Sequence, residues 1–263
     1  MKLILKNINE ILKYRELLIS ITLREIKVKY KQSILGMLWS ILQPLLMMIV
    51  FTIVFSKFVR VPSDGIPYPI FSYSALLPWS FFVTSLSFAS NSIINNAALI
   101  NKIYFPREIF PISAILAAFV DFLIASVIFI VMLFLYQVSI NINIVYVIPI
   151  LFIQIALTLG IAFFTSAVNV RFRDIKYAVP LFMQLWMYAS PIIYPISVVP
   201  ERYRFIYSLN PMTGIIDSYR KVILEGSSPN FQYLGISTII TLIIVLYSYR
   251  YFKIAEKTFA DII

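Results

Sequence analysis

The chain has 263 residues, 60% of them hydrophobic and only 13% charged, against ~45–50% and ~25% in ordinary soluble domains. That balance excludes disorder and leaves more apolar surface than a soluble globule can hide. The formal charge is +10, and Cys and His are both absent, which excludes disulfides, Cys- or His-based zinc and haem sites, and His acid–base catalysis.

A bilayer core takes about 20 predominantly apolar residues per helix. Six stretches qualify: Ile34–Phe55, Ile70–Ile94, Ile109–Tyr136, Ile142–Val170, Ala178–Ile196 and Tyr233–Tyr251. They are too long and too uniformly apolar for barrel strands, which alternate. The expected architecture is therefore an all-α polytopic membrane protein with six transmembrane helices spread over 32–263. Sixteen Lys/Arg fall on one side of these spans, in the N-terminal arm, near 102–107, at 171–176 and in the tail; six fall on the other. The positive-inside rule then puts both termini in the cytoplasm. The positive charge becomes a topology signal and an attraction to anionic membrane lipids, and no nucleic-acid partner is expected.

Residues 1–31 carry eight basic groups and no sustained apolar core, so a cleavable leader is not expected. Ile8, Ile11, Leu12, Leu18, Ile19, Thr22, Leu23 and Ile26 fall within an arc of about 140° on a helical wheel. Arg15, Leu17 and Ile21 interrupt that pattern. The arm reads as an amphipathic helix in the cytoplasmic interface, or alternatively as one packed on a protein partner.

Asp121 lies twelve residues into the third stretch, roughly 18 Å along the helix and near the bilayer midplane. An intramembrane carboxylate marks an ion path or substrate contact; the plainer reading is a hydrogen bond to Gln154 or a Tyr hydroxyl. No G-x-x-x-x-G-K-[ST] occurs, so the chain has no Walker nucleotide site of its own. With no acid–base or metal constellation either, no catalytic residue is assigned and a membrane-embedded transferase is disfavoured.

Trp39, Tyr68, Trp79, Phe82, Trp186, Tyr188 and Tyr194 form an ordinary interfacial belt or, together with Asp121, the lining of a channel in which sugar faces stack on rings. Pro44, Pro78, Pro149, Pro180, Pro191 and Pro195 interrupt the apolar stretches and favour kinks. Beyond the fifth stretch, Val198–Leu209 and Thr213–Leu224, joined at Asn210–Pro211, suggest two short helices dipping back into the outer leaflet. On the cytoplasmic side, Asn101, Lys102, Ile103, Tyr104, Phe105, Pro106 and Arg107 form a short segment in which Ile103, Tyr104 and Phe105 make an apolar knob that this chain is not expected to receive. Exposed apolar clusters of that kind meet partner proteins. Asn169–Tyr177, with Arg171, Arg173 and Asp174, is a second basic loop.

The run Arg24–Trp39, continuing through Leu42-Gln43-Pro44-Leu45, resembles the N-terminal signature of ABC transporter permeases of the type-2 export class. Within that class the likeness is to polysaccharide exporters of the O-antigen, capsule and teichoic acid type. Tyr104-Phe105-Pro106-Arg107-Glu108, Asn169–Ile175, Ser190–Pro195 and Leu209-Asn210-Pro211-Met212 are similar to other landmarks of that family, in order along the chain.

The resemblance implies a homodimer in a bacterial inner membrane, with two cytoplasmic ATPase subunits that carry ATP and Mg. It implies that the arm (1–31) is an interface helix, about 97–107 a coupling helix, and about 198–224 the outer gate helices. It also implies a lipid-pyrophosphate-linked glycan as substrate, its phosphates drawn to Arg24, Lys27, Lys29 and Lys31. Competing readings are a type-2 exporter of lipid or drug and a secondary transporter working through Asp121.

Overall fold

A computed structural model describes residues 10–31, 33–100 and 102–262, with side chains for all of these but 260 and 261. Among the described residues every regular element is helical. The arm forms α1, Arg15–Tyr30. The chain then enters α2, Trp39–Phe51, whose end widens into a π-helical segment, Thr52–Phe58. The others are α3 (Tyr68–Ser92), α4 (Ile109–Leu135), α5 (Val147–Arg171), α6 (Ile175–Tyr188), α7 (Glu201–Ser208), α8 (Pro211–Ile223) and α9 (Phe231–Ala255).

Among the described residues five helical stretches are long and apolar enough to cross a membrane: Gly36–Phe58, Tyr68–Ser92, Ile109–Leu135, Ile142–Arg171 and Phe231–Thr258. The expected stretch Ala178–Ile196 differs. Its helix, α6, has 14 residues, about 21 Å at 1.5 Å per residue, short of a bilayer core. Pro191 and Pro195 explain the early stop, since each lacks a backbone N–H and disfavours helical geometry in the residue before it.

The central element is α3, with Ile70, Tyr73, Phe82 and Leu86 each fully buried. It packs against α4, α5, α6 and α2. By contrast α2 and α6 present open apolar faces, including Ile49 and Val50 on one and Leu181 and Leu185 on the other. At one end of the bundle Ile21, Ile100, Phe105, Phe110, Val170 and Phe252 share a hydrophobic cluster. The arm, the 97–107 segment, the end of α5 and the end of α9 therefore meet at the same end.

The arm packs on α4, in a register the apolar arc did not anticipate. Ile21 is buried, and Tyr14, Leu17 and Leu18 lie against the shared cluster. Leu12, Ile19 and Leu23, toward one edge of the predicted arc, are exposed. Leu17 and Ile21, which break the arc, dock together with Tyr14 and with Leu18 from the arc's other edge. Two apolar faces about 180° apart explain why one amphipathic pattern fits poorly.

At the opposite end, α7 and α8 occupy the two predicted pieces of the 198–224 segment. Pro211 suits the first turn of α8, where no N–H is needed. The Asn210 side chain caps that helix by accepting from the Met212 N–H at 3.0 Å. Gly214 allows α8 to lie close on α9: a Cβ there would collide with the Tyr233 carbonyl and the Ser237 hydroxyl.

Candidate functional site

Three places gather the residues that chemistry singles out. The first is the end where the arm meets the 97–107 segment. The expected coupling helix is helical only at its start: a single α-turn, Ala97–Ile100, precedes a stretch without regular structure at 103–106. Asn101 lies outside the described residues. Lys102, Ile103 and Tyr104 project outward, with Tyr104 80% exposed. Phe105 does find a receiver in this chain, contrary to expectation. It is buried, its ring 5.4 Å from that of Phe110.

Behind this knob lies a charged fastening that sequence reading missed. Glu108 is buried and accepts from Lys253 Nζ at 2.9 Å and from the Tyr249 hydroxyl at 3.2 Å. Lys253 also pairs with Glu256 at 2.6 Å. The Arg107 backbone N–H donates to Glu256 Oε1 at 3.2 Å, and its guanidinium to the Glu256 carbonyl at 2.9 Å. Arg107 thus belongs to the base of the knob rather than its tip. The available signal was weak: Glu108 opens an apolar stretch, and Lys253 and Glu256 stand one helical turn apart. Arg171, Arg173 and Asp174 remain exposed on the neighbouring α5–α6 turn.

The second place is the arm's final turn. Lys29 and the Tyr30 hydroxyl both bond to the Asp121 carboxylate on α4. Asp121 therefore has a Tyr partner, one of the plainer expectations, together with a lysine that was not anticipated. Gln154 is engaged elsewhere, donating to the Pro78 carbonyl at 2.7 Å and accepting from Tyr219 at 3.0 Å. Burial and the Asp121 hydrogen bond push the Tyr30 hydroxyl pKa up, so it stays protonated. The pairing changes how the arm's basic residues read. Lys29 is neutralised by Asp121, and Arg24 is shared between Glu25 at 2.8 Å and the Asn96 side chain. Lys27 and Lys31 make no ion pair with the described residues. With Arg24, Leu23, Val28 and Met37 they line a groove of about 890 Å³, basic and apolar at once. Trp39, half exposed, shares a second, much smaller pocket with Lys29 and Asp121.

The third place is the junction after α6. Trp79, Phe82 and Trp186 form a packed aromatic group, with Trp186 centroids 6.4 and 5.4 Å from the other two. Trp79 and Phe82 are buried. The Trp186 indole N–H donates to Asn210 Oδ1 at 2.8 Å. Asn210 Nδ2 donates in turn to the Ala189 carbonyl and Ser190 Oγ, both at 2.9 Å. One side chain therefore caps α8 and fastens the end of α6. Tyr68 is buried and donates to the Ile193 carbonyl at 2.8 Å. Tyr194 donates to the Tyr188 carbonyl at 3.0 Å, and Tyr188 itself is exposed.

Arg220 is the strongest residue that sequence reading left unassigned. It is one of the six basic groups on the less basic side of the spans, yet it is 4% exposed inside the fold. Its guanidinium donates to the Pro191 carbonyl, to Ile192 O at 2.8 Å and, at 3.4 Å, to Tyr194 O and Phe71 O. It sits 3.6 Å from the centroid of the Phe71 ring. Burial opposes its charge and lowers its pKa; the carbonyls and the ring face offset that cost. The segment broken by Pro191 and Pro195 would otherwise leave buried carbonyls without partners.

Residues 16–224 match the model of the ABC-2 type transporter family. A Klebsiella pneumoniae protein named O-antigen export system permease protein RfbA is 33% identical over 94% of this chain and 95% of its own length. The Myxococcus xanthus protein of the same name is 29% identical over 97% and 98%. The Escherichia coli polysialic acid transport protein KpsM is 24% identical over 87% and 90%. The family match spans most of the sequence, so this multi-pass membrane protein belongs to the ABC-2 type transporter family.

Proposed function

We propose that the chain is the channel-forming subunit of a homodimeric exporter in a bacterial inner membrane. It moves a lipid-linked polysaccharide outward at the expense of ATP hydrolysed by two cytoplasmic ATPase subunits. The relatives' names supply the substrate class. The knob of Ile103 and Tyr104, held out from a base fixed by Phe105, Arg107 and Glu108, is the single observation that carries the coupling assignment. A rigid protrusion transmits a displacement to the helices behind it, whereas a mobile loop absorbs it. ATP and Mg belong to the partner, since no Walker motif occurs here.

Six crossings fit the connectivity. The end of α5 and the end of α9 meet at the arm's end of the bundle, and the start of α9 packs with α8 at the other. Between α5 and α9 only α6 and the 189–199 segment are placed to span the distance. They make a sixth, interrupted crossing that Arg220 and Asn210 hold together. Both termini are then cytoplasmic, matching the charge asymmetry, and α7 and α8 form the outer gate.

In this reading the groove of Arg24, Lys27 and Lys31 receives the lipid phosphate, with Leu23, Val28 and Met37 against the lipid chain. The open faces of α2 and α6, with Trp39 and Tyr188, meet the second copy or line the path between copies. The test is export of a lipid-linked glycan into sealed vesicles by the chain and its ATPase partner, with and without ATP.

A further inference from the structure

Where α7, α8 and the start of α9 meet the loop before α3, a cavity of about 320 Å³ opens. Three carboxylates, Asp64, Asp217 and Glu225, and three cations, Arg204, Arg220 and Lys221, line it. Much of this set is already spent. Asp64 accepts from Ser197 Oγ at 2.9 Å, Arg204 Nε donates to the Val199 carbonyl at 3.0 Å, and Arg220 is shared among carbonyls. Two groups are not spent. Asp217 Oδ2 and Arg220 Nε are buried without a hydrogen-bond partner among the described residues. Lys221 Nζ stands 3.8 Å from Asp217 Oδ2, close enough for attraction but too far for a hydrogen bond.

We infer that this cavity is a sugar subsite, holding one neutral, hydroxylated ring of a glycan with a ring hydroxyl bridging Asp217 and Lys221. The balance of charges selects that ligand. A bare anion entering the cavity meets three carboxylates, and a metal ion meets three cations. Among the described residues no group of three Asp or Glu is arranged to hold a metal. A polyol supplies both what Asp217 Oδ2 lacks, a donor, and what the Arg220 Nε–H and Lys221 ammonium lack, an acceptor. Buried polar atoms left unpaired are costly, and a bound ring removes that cost. Tyr233, also on the wall, offers an aromatic face for the C–H side of the ring. The volume lies near the lower end of the ~300–1,000 Å³ range of small-molecule sites, which suits one ring and not a folded chain. The inference rests on the polysaccharide reading and adds a place at the outer gate where the leaving glycan pauses.

The test is saturation-transfer NMR on the full chain in nanodiscs. The probes are methyl α-D-mannopyranoside, methyl α-D-galactopyranoside and methyl β-D-glucopyranoside. Signal on the ring protons of at least one glycoside is expected, falling about fivefold or more in Asp217→Ala and in Lys221→Ala, and largely restored in Asp217→Asn. Lys221→Ala keeps the test decisive if Asp217→Ala does not fold. No signal from any glycoside with the wild-type chain, or signals in both alanine variants undiminished from wild type, overturns the subsite. Export assayed alongside separates the two readings. Wild-type export with glycoside binding unchanged in the variants removes the subsite alone. Glycoside binding without any glycan export supports the cavity and removes the polysaccharide reading.

Discussion

Lys29 on the last turn of the arm pairs with Asp121, twelve residues into α4, and the neighbouring Tyr30 hydroxyl binds the same carboxylate. Two successive arm residues thus converge on the one acidic side chain deep inside a spanning helix. The pair is mostly shielded, with side-chain exposures of 27% and 12%. Its geometry fastens the last turn of the arm to the bundle.

Removing one member of that pair strands the other in a poor environment. Asp121→Ala should lower thermal stability and expose the Lys27–Lys31 segment to trypsin. Asp121→Asn combined with Lys29→Gln should recover at least half of the loss, because neither neutral group then needs a counter-ion. If Asp121 instead carried a coupling proton, Asp121→Asn would abolish transport with stability intact. Differential scanning fluorimetry and limited proteolysis, run beside a transport assay, separate these outcomes.

Arg220 fastens the broken segment after α6 through several backbone carbonyls. Arg220→Leu keeps most of the volume and leaves those carbonyls unpaired, at a cost of about 3–5 kcal/mol. Arg220→Lys should be only a partial rescue, since one ammonium cannot span the same fork of acceptors. Reduced yield and a lowered unfolding temperature for both, Leu worse than Lys, are the expected readings.

Gly214 sets the closeness of α8 and α9. Gly214→Ala should force the two helices apart, where Gly235→Ala, with open space at the Cβ position, should be near neutral. Thermal stability of the two variants, compared in the same detergent, checks this contrast.

The Asp217 carboxyl has its pKa raised by burial, with Lys221 and Arg220 pulling the other way. Unfolded, it titrates near ~3.9. Between that value and the raised one the folded chain binds more protons than the unfolded chain. Asp217 therefore contributes stability at low pH that is lost as pH rises through the folded pKa. Asp217→Asn should flatten that fall, seen as a weaker pH dependence of the unfolding temperature above about pH 4.

Much of this architecture is legible from residue patterns. Long apolar runs specify five of the spanning helices directly, and Asn210–Pro211 marks the joint between α7 and α8 because a cap and a helix-opening proline act locally. The arm is legible as a helix but not in its register: Leu17 and Ile21 look like errors in one apolar stripe until α4 supplies a second surface. The short α6 is foreshadowed by Pro191 and Pro195, yet what stabilises the break is Arg220, about 25 residues downstream, and no local pattern connects them. Glu108 and Lys253 are hidden for the same reason, being about 145 positions apart. Aromatic residues carry the least information of all. Trp79 and Trp186 read equally well as belt, lining or packing, and only their mutual contact and Asn210 place Trp79 in the packed interior with Trp186 against its edge.

In the proposed exporter the exposed Ile103–Tyr104 knob takes its motion from a separate ATPase. The most direct measurement is glycan export and ATP hydrolysis by the purified complex in sealed vesicles, with wild type and with Tyr104→Ala. Export dependent on ATP in the wild type, falling about tenfold or more in Tyr104→Ala while the membrane subunit stays folded, is the predicted result. Normal export by Tyr104→Ala, or glycan export that needs no ATPase partner, would show that the knob does not couple a separate ATPase to transport.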